Sequence, residues 1–329
     1  MLRIFLTVER MYDWIQASYS IEPVEQYKYI DKMIALTEVK NIHTNTVWTN
    51  GYLMNSATGR KMGVNISHNR IKIRICPNKF ILGNNAQEAP INLVFNTLYD
   101  VSNTLGVDLG LFKLEQLDIT HTAFTDFIPE MYYPYLCTNT GFTRWVQNTS
   151  LYYDANSDRI TKVFYDKVQE IDKRKTWGNR QVLPDELKGL NLTRFECRLG
   201  SNYNIRQVIG GDGLLGQLFA PENVEKLQKW WLKQYNDIPK TTEMKYNFKE
   251  GMNQKGVQNE IIRVALSHYG RLNIEELIEI ADRQGAFNSR SQKSYTRKNL
   301  VKPFDEYGQK HCHIEELDRK YKATEPVWD

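Results

Sequence analysis

Between Thr46 and Cys76 the chain alternates apolar and polar residues in three short runs, VWTNGYLMN, MGVNIS and IKIRIC, separated by the polar turns SATGRK and HNR. A two-residue period puts one face of each run inside and the other outside, and turns this short join antiparallel neighbours. The segment therefore reads as an antiparallel meander. After the loop PNKFILGNNAQEAP the spacing becomes helical, with Ile91, Val94, Leu98, Val101 and Leu105 on one face and Gly106 as the stop.

A similar order then recurs. FKLEQLDITHTAF reads as a strand, TSLYYD and RITKVFYD as a hairpin closed by ANSD, and LNLTRFECRLG as a further strand. The expected fold is α+β: an antiparallel, strand-rich, pseudo-duplicated and saddle-like body with a helical C-terminal module. The expected units are 1–108, an N-terminal meander-plus-helix half; 109–218, a second strand-rich half that holds the candidate catalytic residues; and 219–329, the helical module.

That module begins with PENVEKLQKWWLKQYN and continues through EIIRVALSHYG. Asn273 and Glu276 open IEELIEIADRQ as a capping box, and Gly285 ends it. The next helix, drawn from SRSQKSYTRKNLVK, carries Arg290, Lys293, Arg297, Lys298 and Lys302 and no acidic residue. Helix, short glycine turn and basic helix form a helix-turn-helix pattern that would lay the second helix against DNA; the alternative is a solvated face of an ordinary bundle.

With 41% hydrophobic and 25% charged residues the chain has the balance of a globular protein able to bury a core. A net charge of +4 is too small to imply nucleic acid by itself, so that inference has to rest on where the basic residues sit. The four cysteines, Cys76, Cys137, Cys197 and Cys312, are widely separated, which suggests neither a zinc ribbon nor a disulfide framework and suits a reducing cytoplasm. The opening MLRIFLTVERMYDWI is too short an apolar run for a signal peptide, and no segment approaches the ~20 apolar residues of a bilayer span. IGGDGLLG lacks the Lys-Ser/Thr ending of a phosphate-binding loop, and DANSD lacks the glycine and glutamate of a calcium loop. His311 and His313 flank Cys312 with no third ligand in view.

Three segments carry candidate chemistry. In LEQLDITHTAF, Asp118 faces away from Leu117, Ile119 and His121; in LTRFECRLG, Arg194, Glu196 and Arg198 face away from Phe195 and Cys197. Carboxylates are depleted in strands and seldom buried alone, so Asp118 and Glu196 on adjacent strands would either share a hard cation or form ion pairs with Arg194 and Arg198. In RITKVFYDKVQEI, alternation puts Tyr165 with Val163 and Lys167. A phenol of ordinary pKa near ~10 is a poor nucleophile until a nearby cation stabilises its ionised form; otherwise Tyr165 is strand packing.

In this order the motifs resemble the replication initiators of filamentous phages, the gene II and X family, and more distantly the Rep-trans initiators of rolling-circle plasmids. IKIRICPNKFILGNN is similar to that family's strand ending in Ser/Asn-Pro-x-Lys-Phe/Leu, followed in the phage proteins by Gly-x-Asn; QLDIT is similar to its Arg-hydrophobic-Asp strand; VFYDKVQE and LTRFECRL are similar to its Tyr-Asp/Asn-Lys-x-x-Glu and Arg-hydrophobic-Glu segments. The likeness spans roughly residues 71 to 200. Gln116 stands where the family has arginine, and Thr122 where some plasmid members have a second aspartate.

The resemblance implies a site-specific enzyme that nicks and rejoins one DNA strand through a 5′-phosphotyrosine at Tyr165, with Mg²⁺ or Mn²⁺ held by Asp118 and Glu196. It implies that Lys167 neutralises the phenolate or the phosphate and that Glu170 is a further ligand or a general base. Lys79, Arg194 and the loop residues Lys173, Arg174, Lys175, Trp177 and Arg180 would grip the DNA strand, and Arg290, Lys293, Arg297 and Lys298 would hold the duplex. Origin DNA, the host's replicative helicase and polymerase, and a second copy of the chain are the expected partners, in a bacterial cytoplasm with no membrane involved. A non-catalytic DNA-binding regulator on the same fold is the alternative.

Overall fold

The computed structural model describes residues 11–22, 25, 28–29, 41–42, 49–67, 69–147, 149–155, 159–173, 181, 183–240, 249–259, 261, 278–307 and 314–322. The fold is α+β, built on one ten-stranded antiparallel sheet. The meander forms as read: β3 (Thr49–Asn55), β4 (Arg60–Ser67) and β5 (Arg70–Ile75) pair in sequence, after the short β2 (Asn41–Ile42). β1 (Met11–Ser20) and β6 (Lys113–Thr125) lie side by side at the centre. β7 (Phe142–Gln147), β8 (Ser150–Ala155), β9 (Ile160–Asp166) and β10 (Asn191–Leu199) complete the sheet.

The strand order is β2-β3-β4-β5-β1-β6-β10-β9-β8-β7. Each half is a four-stranded meander with its own first strand laid alongside its last: β1 beside β5, and β6 beside β10. Each half is also followed by two helices, α1 (Pro77–Leu82) and α2 (Ile91–Leu105) after β5, and the corresponding pair Asn202–Ile209 and Pro221–Asn236 after β10. The duplication expected from the recurring pattern is thus present in the topology. The second half alone inserts α3 (Lys167–Lys173) between its last two strands; the helices after β10 are therefore α4 (Asn202–Ile209) and α5 (Pro221–Asn236).

One face of the sheet is apolar. Leu117 and Ile119 of β6, Phe164 of β9 and Phe195 of β10 pack under Trp231 and Tyr235 of α5 in the main core. Tyr321 and Leu317, from the last described helix, Ile314–Lys322, enter the same core. Tyr321 is fully buried against Tyr235, Trp231 and Phe195 and donates its hydroxyl to the Thr193 carbonyl at 3.1 Å. A cut at 219 would therefore divide this core. Val257, Ile261, Ile278, Ala281 and Ala286 form a small core of their own, next to α6 (Arg290–Tyr307), and Ala86, Ile171, Leu187 and Leu192 form another beside α3. The glycine loop read as nucleotide-free is structural: Gly213 and Leu215 bond to Leu114 and Phe112, and Gly216 lies so close to Gly110 that a Cβ there would meet its backbone at 3.2 Å.

Among the described residues, no helix is long and apolar enough to cross a membrane.

Candidate active site on the polar face of the sheet

Register brings the three motif strands together. β10 pairs with β6 so that Glu196 faces Thr120 and Arg198 faces Asp118; β10 pairs with β9 so that Arg194 faces Tyr165. Directly paired residues of antiparallel strands point to the same side, so Asp118, Tyr165, Arg194, Glu196 and Arg198 all lie on the face opposite the main core.

The Tyr165 hydroxyl donates to Glu196 Oε2 at 2.9 Å. Arg198 Nε donates to Glu196 Oε1 at 2.6 Å and stands 3.8 Å from Asp118 Oδ2. The two carboxylates are therefore close enough to touch one guanidinium. Gln116 donates its amide to Asp118 Oδ1 at 3.0 Å. Burial first, and the nearby Glu196 second, push Asp118 up to about 8, against the pull of Gln116 and Arg198.

That displacement is the behaviour of a buried acid sharing its space with a like charge. Asp118 and Glu196 supply the hard oxygen donors that Mg²⁺ or Mn²⁺ prefers, and Mg²⁺ commonly takes one or two carboxylates from the protein and the rest of its shell from phosphate and water. The pair thus has the donor chemistry for such an ion, with Arg198 bonded to one carboxylate and 3.8 Å from the other. Among the described residues, no group of three or more His, Cys, Asp or Glu stands together as a fuller metal site.

Behind the phenol lies a buried charged cluster anchored on Asp13, which the sequence reading missed. β1 changes register between Tyr12 and Trp14, and the Asp13 carboxylate reaches the cluster from this irregularity, as bulges beside functional sites often re-aim a side chain. Its Oδ1 accepts from Arg194 Nη1 at 3.2 Å, from Asn85 Nδ2 at 2.8 Å and from the Cys76 thiol at 3.6 Å. Burial alone would raise Asp13, but Arg194, Lys167, the Asn85 amide and Lys79 outweigh it and hold the carboxyl well below its ordinary value.

The first motif folds to serve this cluster. Pro77 opens α1, Gly83 ends it in the left-handed conformation at φ 77°, and Asn84 Oδ1 accepts from the amides of Ala86 and Gln87. This turn delivers Asn85, whose backbone carbonyl accepts from Arg194 and whose backbone amide donates to Gln181 Oε1. An aspartate between the core residues Tyr12 and Ile15 is the available signal, and the register shift at Asp13 hides β1 from a period-two pattern.

Arg194 requires a correction. Expected on the DNA surface, it is fully buried, spent on Asp13, the Asn85 carbonyl and the Thr122 hydroxyl at 2.8 Å, and cannot meet a phosphate. Nor does it pair with either candidate metal ligand, so the ion-pair alternative holds for Arg198 and not for Arg194. Thr122 is a partner of this arginine.

Lys167 and Glu170 are also placed differently from the strand reading. β9 ends at Asp166, whose Oδ1 accepts from the amides of Val168 and Gln169 and so caps α3. Lys167 is the first residue of that helix, fully buried, with Nζ 5.6 Å from the centre of the Tyr165 ring and 2.6 Å from Glu170 Oε2. Burial, then Arg194, push its ammonium down to about 8 against Glu170 and Asp13. The phenol itself is not made more acidic: burial and Glu196 raise Tyr165 well above its ordinary value, and Arg194 only moderates this.

Lys79 is half-buried on α1 and adds positive charge to Asp13 and Lys167. Lys173 closes α3; Arg174, Lys175, Trp177 and Arg180 lie outside the described residues, as do Asn273, Glu276, His311, Cys312 and His313. On α6, Lys293 Nζ bonds Glu279 at 2.9 Å and Asp282 at 2.8 Å, and Arg297 bonds Glu279 at 2.9 Å. These two cations clasp the preceding helical stretch, 278–283, while Arg290 and Lys298 share α6 with them. No protein-family model matches this chain, and no curated protein matches it in sequence.

Proposed function

We propose that the chain is a rolling-circle replication initiator that nicks and rejoins one strand of origin DNA through a covalent 5′-phosphotyrosine at Tyr165. The observation that carries this reading is the 2.9 Å hydrogen bond from the Tyr165 hydroxyl to Glu196, on a sheet face that also holds Asp118. The motif likeness to phage and plasmid initiators supports it independently.

In this scheme Tyr165 Oη attacks the phosphorus and its proton passes to Glu196, the carboxylate it already bonds. The bond from phosphorus to the 3′-oxygen breaks; that oxygen takes a proton from water and leaves as a 3′-hydroxyl for a polymerase. Lys167 and Arg194 hold positive charge behind the ring while the phenol loses its proton, and Glu170 fixes Lys167. This assigns the base role to Glu196 rather than Glu170. Mg²⁺ or Mn²⁺ held by Asp118 and Glu196 would draw charge from the non-bridging phosphate oxygens. Arg198, with a side chain 40% exposed, would give up its place between the carboxylates. The joining reaction reverses these steps, since the phosphotyrosine keeps the bond energy.

Arg198 also favours a second reading. By bonding Glu196 and approaching Asp118, it satisfies both acids without a metal, as it would in a DNA-binding regulator with no catalytic role.

The test is incubation of the protein with single-stranded and supercoiled DNA from its own replicon, with Mg²⁺ or Mn²⁺. Wild type is expected to form a protein–DNA adduct and Tyr165→Phe to form none while still binding DNA. An undiminished adduct in Tyr165→Phe would remove this nucleophile; binding without an adduct in wild type would favour the regulator. The setting proposed is a bacterial cytoplasm, with the host helicase and polymerase acting on the product.

A further inference from the structure

Two lateral rows of side chains cross the polar face into the candidate site. In one, Gln147, Ser150, Tyr165, Arg194 and Thr122 follow each other from β7 to β6; in the other the order is Trp145, Tyr152, Val163, Glu196 and Thr120. The second row ends at the sheet edge in a stacked aromatic pair: the Trp145 and Tyr152 rings are 4.3 Å apart and within 10° of parallel.

This pair is held rigidly. The indole N–H donates to Asp154 Oδ2 at 2.6 Å, and the Thr161 hydroxyl donates to Asp154 Oδ1 at 2.8 Å. Asp154, the carboxylate in contact with the pair, thus has each oxygen engaged. β7 is the outermost strand, so among the described residues no neighbouring strand covers the far side of the indole, and Trp145 remains 37% exposed. A cross-strand pair accounts for the Tyr152 contact alone. A Trp ring fixed in orientation and open on its outer side is in addition a stacking platform of the kind that binds unpaired bases.

We propose that the outer face of Trp145, backed by Tyr152, stacks one unpaired base of the DNA strand whose phosphate lies at Tyr165. Strand spacing puts β7 about 10 Å from β9, so the platform and the nucleophile address neighbouring parts of one strand. The occupant is a nucleobase of single-stranded DNA, and its orientation on the ring needs no particular sequence. This rests on the nicking function proposed above and adds a substrate subsite to it.

Binding of a fluorescein-labelled single-stranded oligonucleotide from the replicon, measured in EDTA, tests the platform. Trp145→Ala is expected to weaken binding about 5- to 100-fold, the range of one lost base–aromatic stack, and Trp145→Tyr to stay within about threefold of wild type. A scan of single abasic sites should find one position that costs wild type a similar factor and costs Trp145→Ala almost nothing. If Trp145→Ala does not fold, Trp145→Leu, apolar and without a ring, carries the same comparison. Equal binding by wild type and the ring-less variant, or abasic effects that are the same in both, overturns the platform and leaves the nicking reading standing. A wild type that binds no single-stranded DNA overturns both.

Discussion

At the scale of single residues, the proposed nicking reaction turns on which group receives the phenolic proton. Glu196 is 2% exposed and already accepts the Tyr165 hydroxyl, so Glu196→Gln keeps the shape while removing the proposed base and the charge of one of the two proposed metal ligands. Adduct formation is expected to fall by about 10²- to 10⁴-fold, with DNA affinity within about twofold, as measured by quench-flow and fluorescence anisotropy on the same oligonucleotide. A Glu170→Gln variant with the larger loss would return the base role to Glu170. Lys167 gives a test that needs no DNA. Its ammonium is pushed down to about 8 in the folded protein, against an ordinary 10.5. Between these values the unfolded chain holds a proton that the native one has released, so native stability rises with pH across that window. Relative to Lys167→Met, wild type should gain up to about 3 kcal/mol between pH 8 and 10.5 and nothing below pH 7, read from urea unfolding at each pH. A difference that stays flat across the window would show that the ammonium is not destabilised by burial.

Among the elements, α3 shows how far sequence pattern reaches. The alternation in ITKVFYD fixed β9 and the side on which Tyr165 points, because a period of two needs only neighbouring residues. It did not reveal that the strand stops at Asp166, since Asp-Lys-Val-Gln-Glu suits either a charged strand end or a capped helix. The deciding fact is tertiary: Lys167 is fully buried beside Arg194 and Asp13, where a helix start can place it. Asp166→Ala removes the acceptor of two helix amides and is expected to cost about 1 kcal/mol, with a wider range of 0.5–2, in chemical unfolding. Because α3 also carries Lys167 and Glu170, the same variant should slow adduct formation; unchanged stability and rate would mean that the cap does not set the helix start. β1 and β7 were missed for a related reason. MYDWIQASYS contains a register shift at Asp13, which breaks the alternation, and β7 is an edge strand with Trp145 and Val146 both exposed, so neither shows a clean inside–outside pattern. The two residues that the reading most lacked, Asp13 and Trp145, lie in those two strands.

For the whole molecule, the division of the chain into cores follows contact rather than order. The repeat of strand, meander and two helices was legible because each half repeats the same local patterns, while the placement of the C-terminal residues was not, because nothing local in IEELDRKYK says what its apolar stripe will meet. Ile314, Leu317 and Tyr321 are one face of that helix, and they close the main core over β6 and β10. Glu316 reinforces the closure by accepting from the Asp126 amide at 2.8 Å and from the Tyr132 hydroxyl. The pair formed by the acidic stretch 278–283 and the basic α6, between α5 and this last helix, instead adjoins its own small core and has its own clasp of Lys293 and Arg297 on Glu279 and Asp282. Two consequences separate the alternatives. Tyr321→Ala removes a fully buried ring from the site's own supporting layer, and losses of large aromatic side chains from cores cost about 3–5 kcal/mol. Ile278→Ala is expected to cost about 2–5 kcal/mol, but within the small core. In a calorimetric scan Tyr321→Ala should therefore lower the transition that carries the near-ultraviolet signal of the Trp231 cluster by roughly 5–15 °C, while Ile278→Ala leaves that transition in place. If both variants shift it equally, the small core and the sheet unfold as one unit, and the C-terminal helix pair is then as much a part of that cooperative body as the strand that bears Tyr165.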